Sequence, residues 1–159
     1  MSVTFTTAVY IDAPPAAVYA AMTDIDSWKS WMPGLIRIEK LSTGPFAPGT
    51  GWRETRTMFG KEATEQFEVT RLQPPNRIDL KVDGSKGTTG RGEYLFTYEF
   101  VPDRGGTNLE LVGEVRMGNR LWEVLGRMMA GTFKKACHRD LEAFKKHLEQ
   151  ARLFMNHES

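Results

Sequence analysis

The C-terminal third of the chain carries one long amphipathic helical pattern, the only segment long enough to cover a large apolar surface. After Asn119, a residue suited to capping a helix N-terminus, apolar residues recur at steps of three and four. They are Leu121, Leu125, Met128, Met129, Phe133, Ala136, Cys137, Leu141, Phe144 and Leu148. At about 1.5 Å per residue, such a helix reaches roughly 45 Å and can cross a whole β-sheet.

The segments before this helix alternate between apolar and polar residues, which is typical of strands with a single buried face. Clear examples are residues 3–11, 78–82, 94–100 and 109–117. Two short helices are predicted after the first strand, and hairpin-like connections between the later strands favour an antiparallel sheet. We predict an α+β fold in the order β-α-α-β-β-β-β-β-β-α, with a curved antiparallel sheet of six to seven strands wrapped around the long helix.

Length and composition narrow the class of protein. The 159 residues fit one domain, placed at residues 1–152, with residues 153–159 predicted to fray at the end of the helix. The net charge is +1 and the sequence contains no basic stripe, so we expect no nucleic-acid partner. One cysteine, no signal-peptide pattern and no bilayer-length apolar run indicate a cytoplasmic protein without membrane insertion.

The stretch "GWRETRTMFGKEATEQFEV", residues 51–69, predicts a tight hairpin that carries charged side chains on its apolar face. With Gly60-Lys61 as the turn, Arg56 lies opposite Glu65, and Glu54 shares their face with the apolar residues. That face should pack inward, yet it carries three charged side chains. A buried charge without a partner costs several kcal/mol, so an inward charge needs a partner.

Three interpretations of these charges stay open at this point. The hairpin tip could lie at a wet rim of the sheet, or Arg56 and Glu65 could form a structural ion pair. Alternatively, the charges form a polar patch on a pocket wall that holds a ligand's carbonyl, hydroxyl or carboxylate. In that case Glu54 is the group with spare capacity, and its carboxyl, half-buried among aromatic residues, would have a raised pKa suited to a general acid or base.

The other candidate contacts come from an aromatic strand and from the apolar faces around it. Tyr94 and Tyr98 are the second choice of polar contacts, since a buried hydroxyl needs a partner. A sheet curved around a helix leaves a gap unless large side chains fill it. The complete set of predicted ligand-binding residues is Glu54, Arg56, Met58, Glu65, Phe67, Tyr94, Phe96, Tyr98, Leu111, Val115, Met117, Leu125, Met129 and Phe133.

Other kinds of site are not predicted. The histidines His138, His147 and His157 lie on the final helix or after it, and His138 directly follows Cys137, so the two point in different directions. The chain has no zinc-ligand spacing, no phosphate-binding glycine loop and no Ser/His/Asp arrangement. We therefore expect no metal and no cofactor.

Three segments carry a resemblance to a known family: "VYIDAPPAAVYAAMTDIDSWKSWMPG", "GTGWRETRTMFGKEATEQFEVTRLQPPNRIDLKV" and the long final helix. The chain resembles the helix-grip superfamily of START domains, birch-pollen-allergen-type proteins and bacterial polyketide cyclase/dehydrase-like proteins, the SRPBCC group. The resemblance covers nearly the whole chain. It implies a bacterial helix-grip protein that binds lipids or other hydrophobic molecules between the sheet and the final helix.

The resemblance leaves three functions open. The first is binding of a small or medium hydrophobic ligand. The second is a polyketide cyclase or dehydratase, with Glu54 as the candidate catalytic residue. The third is a chaperone-activator-like interaction module, which would have a well-filled interior and an exposed apolar patch. The sequence also leaves open a homodimer, formed through the sheet edge or the short helices, and does not name the ligand.

Overall fold

The computed structural model of the protein describes residues 2–158. Within that range it contains seven strands, two α-helices and two short 3₁₀ helices. The strands and α-helices are β1 (Val3–Ile11), α1 (Pro15–Met22), β2 (Leu35–Lys40), β3 (Gly51–Met58), β4 (Lys61–Gln73), β5 (Arg77–Asp83), β6 (Glu93–Asp103), β7 (Gly106–Arg116) and α2 (Arg120–His157). The 3₁₀ helices span Ile25–Ser30 and Gly84–Lys86.

All seven strands form one antiparallel sheet in the order β1-β7-β6-β5-β4-β3-β2. β1 pairs with β7 along its whole length, from Val3 opposite Val115 to Ile11 opposite Thr107. The sheet is curved and open, and α2 packs against it. The predicted α+β helix-grip fold is therefore confirmed.

Helix α2 runs in the same direction as β1. A Cβ placed on Gly126 would lie 3.8 Å from Val3 Cγ2, and further along the helix Lys145 Nζ donates to the Tyr10 carbonyl at 2.6 Å. Gly126 is therefore already level with the first residue of β1. It follows that residues 120–125 extend past this end of the sheet.

The N-terminus of α2 has the cap that the sequence predicts. Asn119 Oδ1 accepts a hydrogen bond from the Trp122 amide at 3.1 Å, which satisfies one of the free N–H groups of the first turn. This cap stabilises a part of the helix that has no sheet beneath it.

We expect Asn119→Ala to lower the free energy of unfolding by about 1 kcal/mol, because the first turn loses its cap. Amide hydrogen exchange over residues 120–126 should be faster than in the wild type, and urea unfolding gives the stability change. Asn119→Asp keeps an acceptor oxygen and serves as the control. Unchanged exchange in the alanine variant would contradict the proposed role of the cap.

The C-terminal end of α2 differs from the prediction. The helix continues to His157, so residues 153–157 are helical where a frayed tail was predicted for residues 153–159. No glycine or proline follows Gly131, so the sequence contains nothing that interrupts the helix. Ser159 lies outside the described residues, and the domain boundary at residue 152 stays a prediction.

The β3–β4 hairpin has the predicted faces but a different register. Met58 pairs with Lys61, so the turn is Phe59-Gly60 and not Gly60-Lys61. Both turn residues have positive φ, 52° and 78°, as a type I′ hairpin turn requires. The difference of two residues keeps every side chain on its predicted face but changes its partner across the strands.

The hydrophobic core is concentrated where α1, the first 3₁₀ helix and the second half of α2 meet the sheet. Three residues of α2 are buried, namely Leu141, Phe144 and Leu148. Phe144 is fully buried and its ring packs 5.1 Å from that of Trp31, a burial that stabilises the fold by about 2–3 kcal/mol. The first half of α2 contributes no buried residue, so the core does not fill the space between this half of the helix and the sheet.

None of the helices within residues 2–158 combines the length and the apolar composition needed to cross a bilayer.

Candidate functional site

A cavity of about 340 Å³ lies between the inner face of the sheet and α2. Most of its lining is apolar or aromatic, with side chains from β3 to β6, from the Ile25–Ser30 region and from α2. The lining residues with a hydroxyl, thiol, carboxyl or guanidinium group are Glu54, Arg56, Glu65, Thr89, Tyr94, Tyr98, Cys137 and Asp140. A mostly apolar enclosure with a few polar groups is the usual composition of a small-molecule site.

Arg56 on β3 is the centre of a buried charged cluster. Its guanidinium forms a bidentate pair with Asp140 of α2, at 2.6 Å from Nη2 to Oδ1 and 2.9 Å from Nη1 to Oδ2. Nη1 also donates to Glu54 Oε1 at 3.4 Å, and Nε and Nη2 donate to the Pro33 carbonyl at 3.3 and 2.8 Å. The Arg56 side chain is 15% exposed. The cluster therefore ties the sheet to the long helix through charges that are largely removed from water.

Glu54 lies beside Arg56 and is the most buried carboxyl group of the cluster, with 5% of the residue exposed. Burial raises the pKa of Glu54 to about 7, against the opposing attraction of Arg56 and with a smaller contribution from the negative charge of Asp140. Near neutral pH this carboxyl group is present in both protonation states. It can therefore both donate and accept a proton inside the cavity.

Glu65 lies directly opposite Glu54 on β4, and this corrects the predicted Arg56–Glu65 ion pair. Glu65 Oε1 accepts hydrogen bonds from the Thr89 amide at 2.9 Å and the Thr89 hydroxyl at 2.5 Å. A Cβ on Gly87 would overlap Glu65 Oε2, so glycine allows the loop to approach this closely. Glu65 thus holds the β5–β6 loop against the sheet. It does not face Arg56, because the two-residue register difference places Ala63 there.

The two predicted tyrosines line the cavity in different surroundings. Burial raises the pKa of Tyr98 far above its ordinary value, and within residues 2–158 its hydroxyl makes no hydrogen bond. The Tyr94 hydroxyl donates to Thr89 Oγ1 at 3.4 Å, and burial also raises its pKa. The Tyr94 ring lies 6.1 Å from that of Phe133 on α2. Both hydroxyls therefore stay protonated at neutral pH.

The cysteine and the histidines do not form a reactive centre. Burial raises the pKa of Cys137 to about 12, with Asp140 adding to the shift, so its thiol is not a nucleophile at neutral pH. His138 Nδ1 lies 2.8 Å from Thr7 Oγ1 at the β1 side of the helix. In the part of the chain that the structure describes, His, Cys, Asp and Glu form no group of three or more that could hold a metal ion.

Eleven residues of the predicted ligand-binding set line this cavity, and three do not. The eleven are Glu54, Arg56, Met58, Glu65, Phe67, Tyr94, Phe96, Tyr98, Val115, Met129 and Phe133. Leu111 is buried in the packed core, and Met117 lies beyond β7 beside a separate surface depression. Leu125 is 39% exposed, because α2 extends past the sheet at this point. Ligand contact by the eleven residues stays a prediction.

Asp140 is the most important residue of the cavity that was not among the predicted residues. It interrupts the apolar stripe of α2, three residues after Cys137 and four before Phe144. An acidic residue at a stripe position is the signal that could have identified it, since such a position faces the sheet. Trp28, in the 3₁₀ helix Ile25–Ser30, and Trp31, directly after it, also line the cavity and were not in the predicted set.

Comparison with known proteins gives a family and a fold. Residues 2–149 match the family model described as polyketide cyclase / dehydrase and lipid transport. No curated protein matches the chain.

Several solved structures share the fold. A protein from Thermus thermophilus is 19% identical with a TM-score of 0.74, covering 94% of this chain and 99% of that chain. The Zhui aromatase/cyclase from a Streptomyces species is 16% identical with a TM-score of 0.76, covering 94% and 95%. A START superfamily protein from Mycobacterium smegmatis is 14% identical with a TM-score of 0.73, covering 93% and 98%. At these identities the likeness concerns the fold alone.

Proposed function

Because the chain belongs to the polyketide cyclase / dehydrase and lipid transport family, we propose that its cavity binds a small or medium-sized hydrophobic molecule with at least one polar group. The observation that carries this proposal is the apolar cavity of about 340 Å³ with a buried charged cluster in its wall. Its size lies within the range of roughly 300–1,000 Å³ usual for ligand pockets.

The two kinds of lining have separate roles in this proposal. Apolar contact with residues such as Phe67, Phe96 and Met129 supplies most of the affinity, because it removes hydrocarbon surface from water. The polar groups orient the ligand. Glu54 and Tyr98 are best suited to this, since Glu54 has a carboxyl oxygen that Arg56 does not use and the Tyr98 hydroxyl makes no hydrogen bond within the described part of the chain.

Native mass spectrometry of freshly purified protein is the most direct test of the proposal. A small hydrophobic molecule that co-purifies would support it and would identify its chemistry. A fluorescent apolar probe then provides a titration, in which enhanced emission measures binding and displacement measures competition by other molecules.

We expect Ala136→Trp to weaken binding of the fluorescent probe at least 10-fold, because an indole on this cavity-facing helix position would occupy the cavity. Ala151→Trp makes the same change at an exposed position of the same helix and should bind as the wild type does. Circular dichroism checks that both variants are folded. Equal probe binding by Ala136→Trp and the wild type would overturn the proposal that this cavity is the binding site.

The enzyme alternative, a cyclase or dehydratase, is favoured by one observation. The Glu54 carboxyl has a pKa of about 7 and lies in the cavity wall, where it could transfer protons to and from a bound ligand. Glu54→Gln separates the two functions. A binding protein should keep most of its affinity, whereas an enzyme should lose turnover while still binding its substrate.

The chaperone-activator alternative has less support. It predicts an exposed apolar patch, which the exposed Leu121, Val124 and Met128 of α2 fit. It also predicts a well-filled interior, which the cavity between the sheet and α2 does not fit.

A further inference from the structure

Every hydrogen-bond donor of Arg56 is already used inside the protein. A guanidinium has five N–H groups. Two are directed to Asp140, one to Glu54 and two to the Pro33 carbonyl. Arg56 is the one cation among the described residues of the cavity lining, and it therefore has no free donor for the head group of a ligand.

The cavity wall also holds more carboxyl groups than it holds cations. The single guanidinium of Arg56 stands against Glu54 and Asp140, and Glu65 lies across the strands from Glu54. A carboxylate head group that entered here would add an anion to a buried region whose positive charge is already paired. Burial of an unpaired anion is strongly unfavourable, so the cavity should exclude it.

The polar atoms that remain without partners suit an uncharged head group. Trp31 Nε1 is buried and makes no hydrogen bond within residues 2–158, and the Tyr98 hydroxyl makes none in the same range. An indole N–H donates, and a hydroxyl both donates and accepts. Together with the carboxyl oxygen of Glu54 that Arg56 does not use, they can bind a hydroxyl or carbonyl group of a neutral molecule.

We propose that Asp140 sets the charge selectivity of the cavity: by occupying Arg56, it makes the cavity accept uncharged hydroxyl- or carbonyl-bearing hydrophobic molecules and reject carboxylates. This inference rests on the proposed function, because it describes what the same cavity accepts. Asp140 acts through Arg56 and is a positioning residue.

Two probes of equal chain length, 1-decanol and decanoate, test the inference at pH 8 by displacement of the fluorescent apolar probe. We expect the wild type to bind decanol at least 10-fold more tightly than decanoate. Asp140→Asn removes one negative charge with little change of shape, so the decanol preference should fall at least 10-fold. Asp140→Ala frees two donors of Arg56 and should have the same effect. Glu142→Gln removes an exposed carboxylate from the same helix and should keep the wild-type preference.

The possible outcomes separate this inference from the proposed function. If the wild type binds both probes equally, or binds decanoate more tightly, the inference is wrong while the binding function stands. An unchanged preference in a folded Asp140 variant also overturns it. If neither decanol, decanoate nor the fluorescent probe binds to the wild type, the proposed function itself fails. The wild-type comparison needs no variant, so it decides the question even if the Asp140 variants do not fold.

Discussion

Arg56→Met is expected to lower the free energy of unfolding at pH 8 by about 3 kcal/mol, because it leaves buried carboxyl groups without their counter-charge. Asp140 loses both halves of its bidentate pair, and Glu54 loses its only cationic neighbour in the cluster. The carbonyl of Pro33 also loses two donated hydrogen bonds. Urea unfolding followed by circular dichroism measures the change.

Two further variants show whether the loss comes from the buried charge. Arg56→Met combined with Asp140→Leu removes both members of the pair and should recover most of the lost stability, since a well-packed apolar replacement is often neutral. Arg116→Met is the matched surface control. Arg116 also donates to two carboxylates, Glu114 at 2.9 Å and Glu93 at 3.2 Å, but its side chain is 50% exposed. It should cost less than about 1 kcal/mol. Equal losses in the two single variants would contradict this explanation.

Glu54→Gln should change how stability depends on pH. The pKa of Glu54 is raised from 4.5 to about 7 by burial, so its carboxyl group holds its proton more tightly in the folded state than in the unfolded state. Its contribution to stability is therefore fully present below about pH 4.5 and is lost as the pH rises through 7. At about 1.36 kcal/mol per pKa unit, a rise from 4.5 to about 7 amounts to roughly 3 kcal/mol.

The expected result is that the stability of Glu54→Gln relative to the wild type rises by about 3 kcal/mol from about pH 4 to about pH 9. Urea unfolding at several pH values measures this difference. Glu114→Gln is a control with the opposite sign, because hydrogen bonding to Arg116 lowers the pKa of Glu114. The stability of the wild type relative to that variant should therefore decrease as the pH falls below about 4.5. A constant difference between wild type and Glu54→Gln across this range would show that Glu54 ionises with equal ease in both states.

The fold was predictable because the sequence signals its two layers separately. Alternating residues identify the strands and their buried faces, and the stripe after Asn119 identifies the helix that covers them. The β3–β4 hairpin was predicted only in part. Its faces were correct because a slip of two residues preserves them, but its pairs were wrong because Phe59, which is not a glycine, takes a positive φ in the turn.

The site was less predictable because its parts meet only through tertiary structure. Arg56 and Asp140 are separated by 84 residues, and no local pattern connects a strand position to a helix position. Leu125 and Met129 belong to the same apolar stripe, yet only Met129 lines the cavity. Periodicity identifies the apolar face of a helix, but it does not indicate where the sheet beneath it ends.

The pairing of β1 with β7 also has a consequence for how the chain folds as it is synthesised. Val3 and Val115 are direct partners, and within residues 2–158 β1 pairs with no strand other than β7. Strand β1 therefore cannot pair until β7, about a hundred residues further along the sequence, has been translated. Contacts so distant in sequence slow folding, and until they form the edge of β7 that β1 later covers is exposed to other nascent chains.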